Sequence, residues 1–177
     1  TTSAERERTK ESEGATIKYR LMFGQTVEVV DPSDPPSKQL RILITNFRLA
    51  EQTGSEVFVR DVARALYQDH EVAVFVSKKG KLAEEVEKEG IRVFDHPAEV
   101  PFQPNIIHGQ FNLETIIALL SFPDTPAVYM SHGSQQWREE PPQHPRVARY
   151  LGISMKMGEW LQEEFRIDPS RFHLISS

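Results

Sequence analysis

The chain reads as an α/β protein, a parallel sheet with helices on both faces, preceded by a short N-terminal β-hairpin. Three observations predict this. From Leu40 onward, short continuous apolar runs such as Ile42-Leu43-Ile44 have the composition of strands buried on both faces. Between them lie helix-period segments joined by short connections, and alternating β and α units of this kind build parallel sheets. Ahead of them, residues 17–30 carry a period-2 pattern around a turn signal.

In chain order, Thr1 to Gly14 is almost all Thr, Ser, Glu, Lys and Arg, too polar to offset the entropy of ordering it, and is expected to be disordered or a frayed helix. Ile17, Tyr19 and Leu21, then Val27, Val29 and Val30, flank Gly24-Gln25 and predict the hairpin. Asp31 to Ser37 holds three prolines and reads as a linker, so residues 1–39 form a tail, hairpin and linker and residues 40–177 the α/β domain. The first sheet strand is Ile42 to Ile44. The following helix places Phe58, Val62, Ala65 and Leu66 on one face. Then come a strand at Glu71–Val76, a helix at Leu82–Glu89 closed by Gly90, and a strand at Ile91–Phe94. Strands at Asn105–Gln110 and Ala127–Met130 bracket a helix at Leu113–Leu120. A strand at Tyr150–Ser154, a helix at Met157–Phe165 and a strand at Phe172–Ile175 complete the order.

Composition excludes several function classes. Among 177 residues, 21 Lys and Arg stand against 26 Asp and Glu, a net charge of −5 with no basic cluster, which argues against nucleic acid as a partner. The absence of Cys removes disulfides, thiolate metal sites and thiol nucleophiles. No apolar run approaches a membrane span and no signal-peptide pattern is present, so a cytoplasmic protein is expected, with peripheral membrane association as a further option. The six histidines show no i, i+4 pair and no HExxH spacing, so no metal or other cofactor is expected. A start at Thr1 and a stop after an apolar strand read as a piece of a longer protein.

Ligands of open parallel sheets bind beyond the carboxyl ends of the strands. The residues to inspect are therefore Asn46 and Thr53 to Glu56 after the first strand, His108 to Gln110 on the fourth, Ser131 to Ser134 after the fifth, and Ser154 after the sixth. Gly54 opens a helix whose N-terminus suits phosphate, but taken alone it reads more readily as an ordinary helix start, with Thr53 or Ser55 as N-cap beside a flexible glycine. No GxGxxG or GxxxxGK[ST] motif is present, which weighs against nicotinamide dinucleotide and P-loop chemistry. His132, beside Gly133, suits a sugar hydroxyl or an acid/base task; the alternative is a loop histidine satisfied by backbone. His108 and Gln110 share a face if the strand runs past them, and His108 reads best as an anchor of the strand end. Pro141, Pro142 and Pro145 mark a loop that is either a mobile flap or a long connection.

Arg41 to Thr45, Thr53 to Glu56 with Val59 to Leu66, His70 to Val74, Glu85 to Val93, Pro104 to His108, His132-Gly133, Ile153-Ser154 and Pro169 to Ile175 form one ordered series of stretches. Through them Leu40 to Ser177, roughly three quarters of the chain, resembles the N-terminal domain of family 4 retaining glycosyltransferases, enzymes of two Rossmann-like domains in the GT-B arrangement. The pattern departs at Ser55, where the family usually has a second glycine, and after Ile175, where the family continues into a nucleotide-sugar domain. The resemblance implies a metal-independent transfer, with retention, from a nucleotide-sugar to a carbohydrate or lipid-linked acceptor. It implies that Gly54 and Ser55 face the donor diphosphate, that His132 contacts the donor sugar, that Gln110 and Gly133 belong to the donor or acceptor site, and that a C-terminal domain completes the cleft. A non-catalytic α/β binding domain is the competing reading. A receiver-like fold lacks its acidic cluster and lysine near Asn46 and Ser131.

Overall fold

The computed structural model describes residues 6–7, 16–20, 26–30, 39–133 and 137–175. The chain forms two compact units, Thr1–Gln39 and Leu40–Ser177. In the first, β2 (Thr16–Arg20) and β3 (Thr26–Val30) pair antiparallel with Ile17 opposite Val29 and Tyr19 opposite Val27, the register of the expected hairpin. The expected tail gains a strand. β1 (Arg6–Glu7) pairs with β2 where disorder or a frayed helix was expected, because the free edge of β2 offers backbone partners that side-chain composition does not register. The hairpin turn at Gly24-Gln25, the linker at 31–37 and the rest of the tail lie outside the described residues.

The second unit is a seven-stranded, all-parallel sheet of α/β, Rossmann-like type. Its strands are β4 (Arg41–Leu49), β5 (Glu71–Lys79), β6 (Arg92–Phe94), β7 (Ile106–Gln110), β8 (Ala127–Met130), β9 (Val147–Gly152) and β10 (Phe172–Leu174). Their spatial order is β10-β9-β8-β7-β4-β5-β6, so the chain reverses direction across the sheet between β4 and β7. The helices are α1 (Gly54–Tyr67), α2 (Lys81–Lys88), α3 (Asn112–Ser121) and α4 (Met155–Phe165).

Period-2 geometry explains why β4 and β5 are apolar without interruption: each feeds two cores. Ile42, Ile44, Val72, Val74 and Val76 face α1 and α2 with Val59, Ala63, Leu82 and Val86. Leu43, Ala73, Phe75, Ile107 and Tyr129 face the other way, onto Ala118 and Leu119 of α3 and Leu161 of α4. Leu43 and Ile44 are wholly buried, each worth about 1.5–3 kcal/mol. Gly90 closes the α2 segment at φ +90°, a conformation in which a Cβ is strained.

Three expectations need correction. The buried face of α1 is Glu56, Val59 and Ala63, with Val62 and Leu66 packed at its margin, and Ala65 is exposed. β4 runs five residues past Ile44, because its pairing with β5 continues from Thr45–Phe75 to Leu49–Lys79. β9 begins three residues before Tyr150 and ends at Gly152, since Val147 enters the core while Ala148 and Arg149 stay exposed and break the apolar run.

Candidate functional site

The switch point between β4 and β7 is where an open parallel sheet leaves a crevice. The ladder between these strands stops at Ile44–His108. Beyond it the Thr45 hydroxyl takes over, donating to the Gln110 carbonyl at 3.1 Å and accepting from the Gln110 N–H at 3.0 Å. One side chain thus satisfies both backbone groups that parting strands would strand. Thr115 of α3 backs it at 3.2 Å.

β7 continues to Gln110, so His108 and Gln110 share the face that α1 covers. His108 sits mid-strand between Ile44 and Val128, not at a strand end. Asn46 lies within β4, wholly buried, its Nδ2 donating to the Arg48 carbonyl at 2.8 Å. Asn46 Oδ1, His108 Nδ1 and Gln110 Nε2 are all buried without a hydrogen-bond partner. His132, two residues past β8, is half-buried and its Nε2 meets Gln110 Oε1. Phe58 of α1 stands edge-on to the His132 ring at 5.0 Å and tilted against His108 at 6.5 Å. Burial pushes the His132 imidazole down to about 4, with His108 adding repulsion, and burial also lowers His108. Both rings are neutral at pH 7.

Gly54 is the first residue of α1, exposed, with nothing within 4 Å of where a Cβ would stand. Thr53, in extended backbone, is the N-cap. The first-turn N–H groups of Gly54 and half-buried Ser55 have no intrahelical partner and lie at the positive end of the helix. Glu56 is wholly buried beneath them. Its Oε2 accepts from the Glu51 and Thr53 N–H groups at 3.0 and 3.3 Å, and its Oε1 pairs with Arg48 Nε at 2.8 Å, which fixes the loop from β4 to α1. Gly133 lies under the Glu139 carboxylate, whose Oε2 would stand 2.6 Å from an added Cβ.

A cleft of about 340 Å³ opens beside this cluster, lined by Phe47, Arg48, Thr53, Phe111, Arg138 and Glu139. Arg138 lies 4.2 Å above the Phe47 ring, and Phe111 bridges cleft and imidazole, 6.2 Å from Phe47 and 6.5 Å from His132. Phe111 adopts φ 60°, ψ 139°, a conformation that side chains rarely tolerate. Part of the proline-marked loop is pinned: the Tyr129 hydroxyl donates to the Glu139 carbonyl at 3.2 Å, and Asn112 Nδ2 to the Glu140 carbonyl at 3.0 Å.

Of the residues singled out from sequence, Gln110 and His132 therefore meet, Gly133 follows His132 beneath Glu139, and exposed Gly54 and half-buried Ser55 start α1. Phe58, Phe111 and Arg138 were missed. Phe58 looked like core, Arg138 sat in an unassigned loop, and no sequence signal marks a phenylalanine with positive φ. Among the described residues no helix is long and apolar enough to cross a membrane.

No protein-family model matches the chain, and no curated protein matches it. Among solved structures it is similar to a glycosyltransferase from Rickettsia africae ESF-5, at 17% identity and TM-score 0.60, over 78% of this chain and 43% of that one. It is also similar to Anabaena HepE, crystallised in complex with UDP-glucose, at 16% identity and TM-score 0.60, over 78% of this chain and 44% of that one. The likeness is one of fold, and the chain spans less than half the length of either structure.

Proposed function

We propose that residues 40–177 are the acceptor-side half of a family 4, GT-B glycosyltransferase that moves a sugar from a nucleotide-sugar to an acceptor hydroxyl, with retention and without a metal. The observation that carries the reading is the convergence, at the switch point of a glycosyltransferase-like sheet, of an open helix N-terminus and a neutral, partner-held histidine. The UDP-glucose bound to one structural neighbour supports a nucleotide-sugar donor. A carbohydrate or lipid-linked acceptor fits the aromatic and charged cleft beside His132. The reaction belongs in the cytoplasm, at a membrane surface when the acceptor is lipid-linked.

In the transfer, the bond from the anomeric carbon to the diphosphate oxygen breaks with its electron pair leaving on that oxygen, a bond to the acceptor oxygen forms on the same face, and the acceptor hydroxyl passes its proton to the departing diphosphate. Charge grows on the departing diphosphate and on an oxocarbenium-like sugar. The N–H groups of Gly54 and Ser55 and the α1 dipole stabilise the first without reorganising. The neutral imidazole of His132 hydrogen-bonds a sugar hydroxyl. A second domain supplies the opposite wall and most of the nucleotide contacts.

The test is His132→Ala in the two-domain enzyme. kcat/KM should fall on the order of 10²-fold, about 2.7 kcal/mol of transition-state stabilisation, with little change in the urea midpoint. His173→Ala, at an exposed position of β10, is the control, and chelator should leave both rates unchanged. Normal turnover by His132→Ala would leave a non-catalytic binding domain as the better reading.

A further inference from the structure

Gln110 closes β7 with a side chain that is wholly buried, an expensive place for a primary amide. Leucine or methionine would fill that volume without leaving a buried donor, Nε2, partnerless. What the amide adds is its contact with His132. The root of the side chain is fixed first, because both backbone groups of Gln110 are tied to the Thr45 hydroxyl. From there Oε1 reaches His132 Nε2. A carboxamide oxygen only accepts, so the ring nitrogen it meets carries the hydrogen. Phe58 and Phe111, at 5.0 and 6.5 Å, limit rotation of the ring.

We infer that Gln110 is a positioning residue, holding His132 as the neutral Nε2–H tautomer so that Nδ1 offers a hydrogen-bond acceptor to a hydroxyl of the bound ligand. The tautomer follows from this chain's own contacts; only the identity of that hydroxyl as a sugar's rests on the transferase reading. An uncharged partner suits the position. A carboxylate there would draw a second proton onto the ring and turn both nitrogens into donors. Among the described residues, the charged and titratable groups around the ring are His108 on β7, sharing the Phe58 face, and Glu139 over Gly133; Phe58 of α1 brings no charge.

Long-range ¹H–¹⁵N spectra of the 177-residue chain at pH 7 read the tautomer without any turnover. His132 should show a protonated-type Nε2 and a lone-pair-type Nδ1. Gln110→Leu should mix the two forms, so that the two nitrogen shifts move toward each other. Gln110→Glu should restore the Nε2–H contact and raise the ring's titration midpoint by more than one pH unit. Gln110→Asn, one methylene short, should mix the tautomers as the leucine variant does, and covers the case in which that variant does not fold. An Nδ1–H tautomer in the unmodified chain, or nitrogen shifts unmoved by Gln110→Leu or Gln110→Asn, would overturn the assignment. Since no assay of transfer enters, a failed transferase reading and a failed tautomer assignment are told apart.

Discussion

His132 and His108 make the residue scale measurable, because the fold holds both rings below the ordinary imidazole range, His132 at about 4. The unfolded chain protonates both near 6.5. As pH falls below that value, the unfolded state takes up protons first, so the stability from the neutral buried rings is complete above pH 7. It drains away between about 6.5 and 4. Each pKa unit is worth about 1.4 kcal/mol, which after allowance for the half-exposed ring leaves about 2 kcal/mol from His132. Urea unfolding of this chain should show that loss between pH 7 and 4.5, and His132→Gln should show a visibly smaller one. Equal pH slopes for the two proteins would mean that the ring is not desolvated. Asp61 and Glu89, lowered by hydrogen bonds to Arg60 and Arg64, and Asp168, lowered by its bond to Ser170, begin to act only below about pH 5 and are common to both proteins, so the comparison cancels them. The polar and small residues at or just past the carboxyl ends of buried strands marked Gln110, His132 and Gly133 as rim residues, and the contact between Gln110 and His132 was within reach of that reading. The environment of the ring was not legible, since Phe58 reaches it only through the rotation of α1 and Phe111 only through a strained backbone.

At Gly109 a strand and a helix meet closely. A Cβ there would stand 2.6 Å from Thr115 Cγ2 and 2.7 Å from its Oγ1. That hydroxyl cannot yield easily, because it donates to the Phe111 carbonyl at 2.7 Å and touches Thr45 at 3.2 Å. Gly109→Ala should therefore push α3 off β7 and cost about 1–3 kcal/mol. Gly54→Ala, in open space at the start of α1, should stay within about 0.5 kcal/mol of the parent. Denaturant midpoints of the two variants compare them directly; equal midpoints would mean that α3 is not closely docked. The order and type of the sheet elements could be read from the chain because double-sided burial leaves uninterrupted apolar runs, and Gly90 marked a true helix stop. The helix face of α1 could not. Hydrophobicity alone puts Phe58 in the core, whereas the buried stripe carries Glu56, whose burial depends on Arg48 arriving from the end of β4.

On the proposed transferase reading, the seven-stranded sheet offers one rim of the cleft and a second domain the other. The open end of α1, His132 and the Phe47–Phe111 cleft all lie at the carboxyl edge of a single Rossmann-like unit, which spans 43% and 44% of the two solved structures it is similar to. Dipoles stabilise a developing charge strongly only when water is excluded from the far side. Gly54 shows the opposite condition: it is exposed, with nothing within 4 Å of where a Cβ would stand, so the start of α1 is open on that side. A donor placed against this rim is therefore held on one side only. If a second domain forms the opposite wall, as proposed, its loss costs more than any one contact, because a preorganised group typically contributes 10²–10³ in rate and such a wall would carry several. The 177-residue chain, given UDP-glucose and a range of sugar acceptors, should release UDP at least about 10³-fold more slowly than the two-domain enzyme. The same comparison made with the two-domain His132→Ala variant separates a missing wall from a missing side chain. Turnover by the short chain at the full enzyme's rate would mean that one rim suffices, and the half-cleft reading would fall.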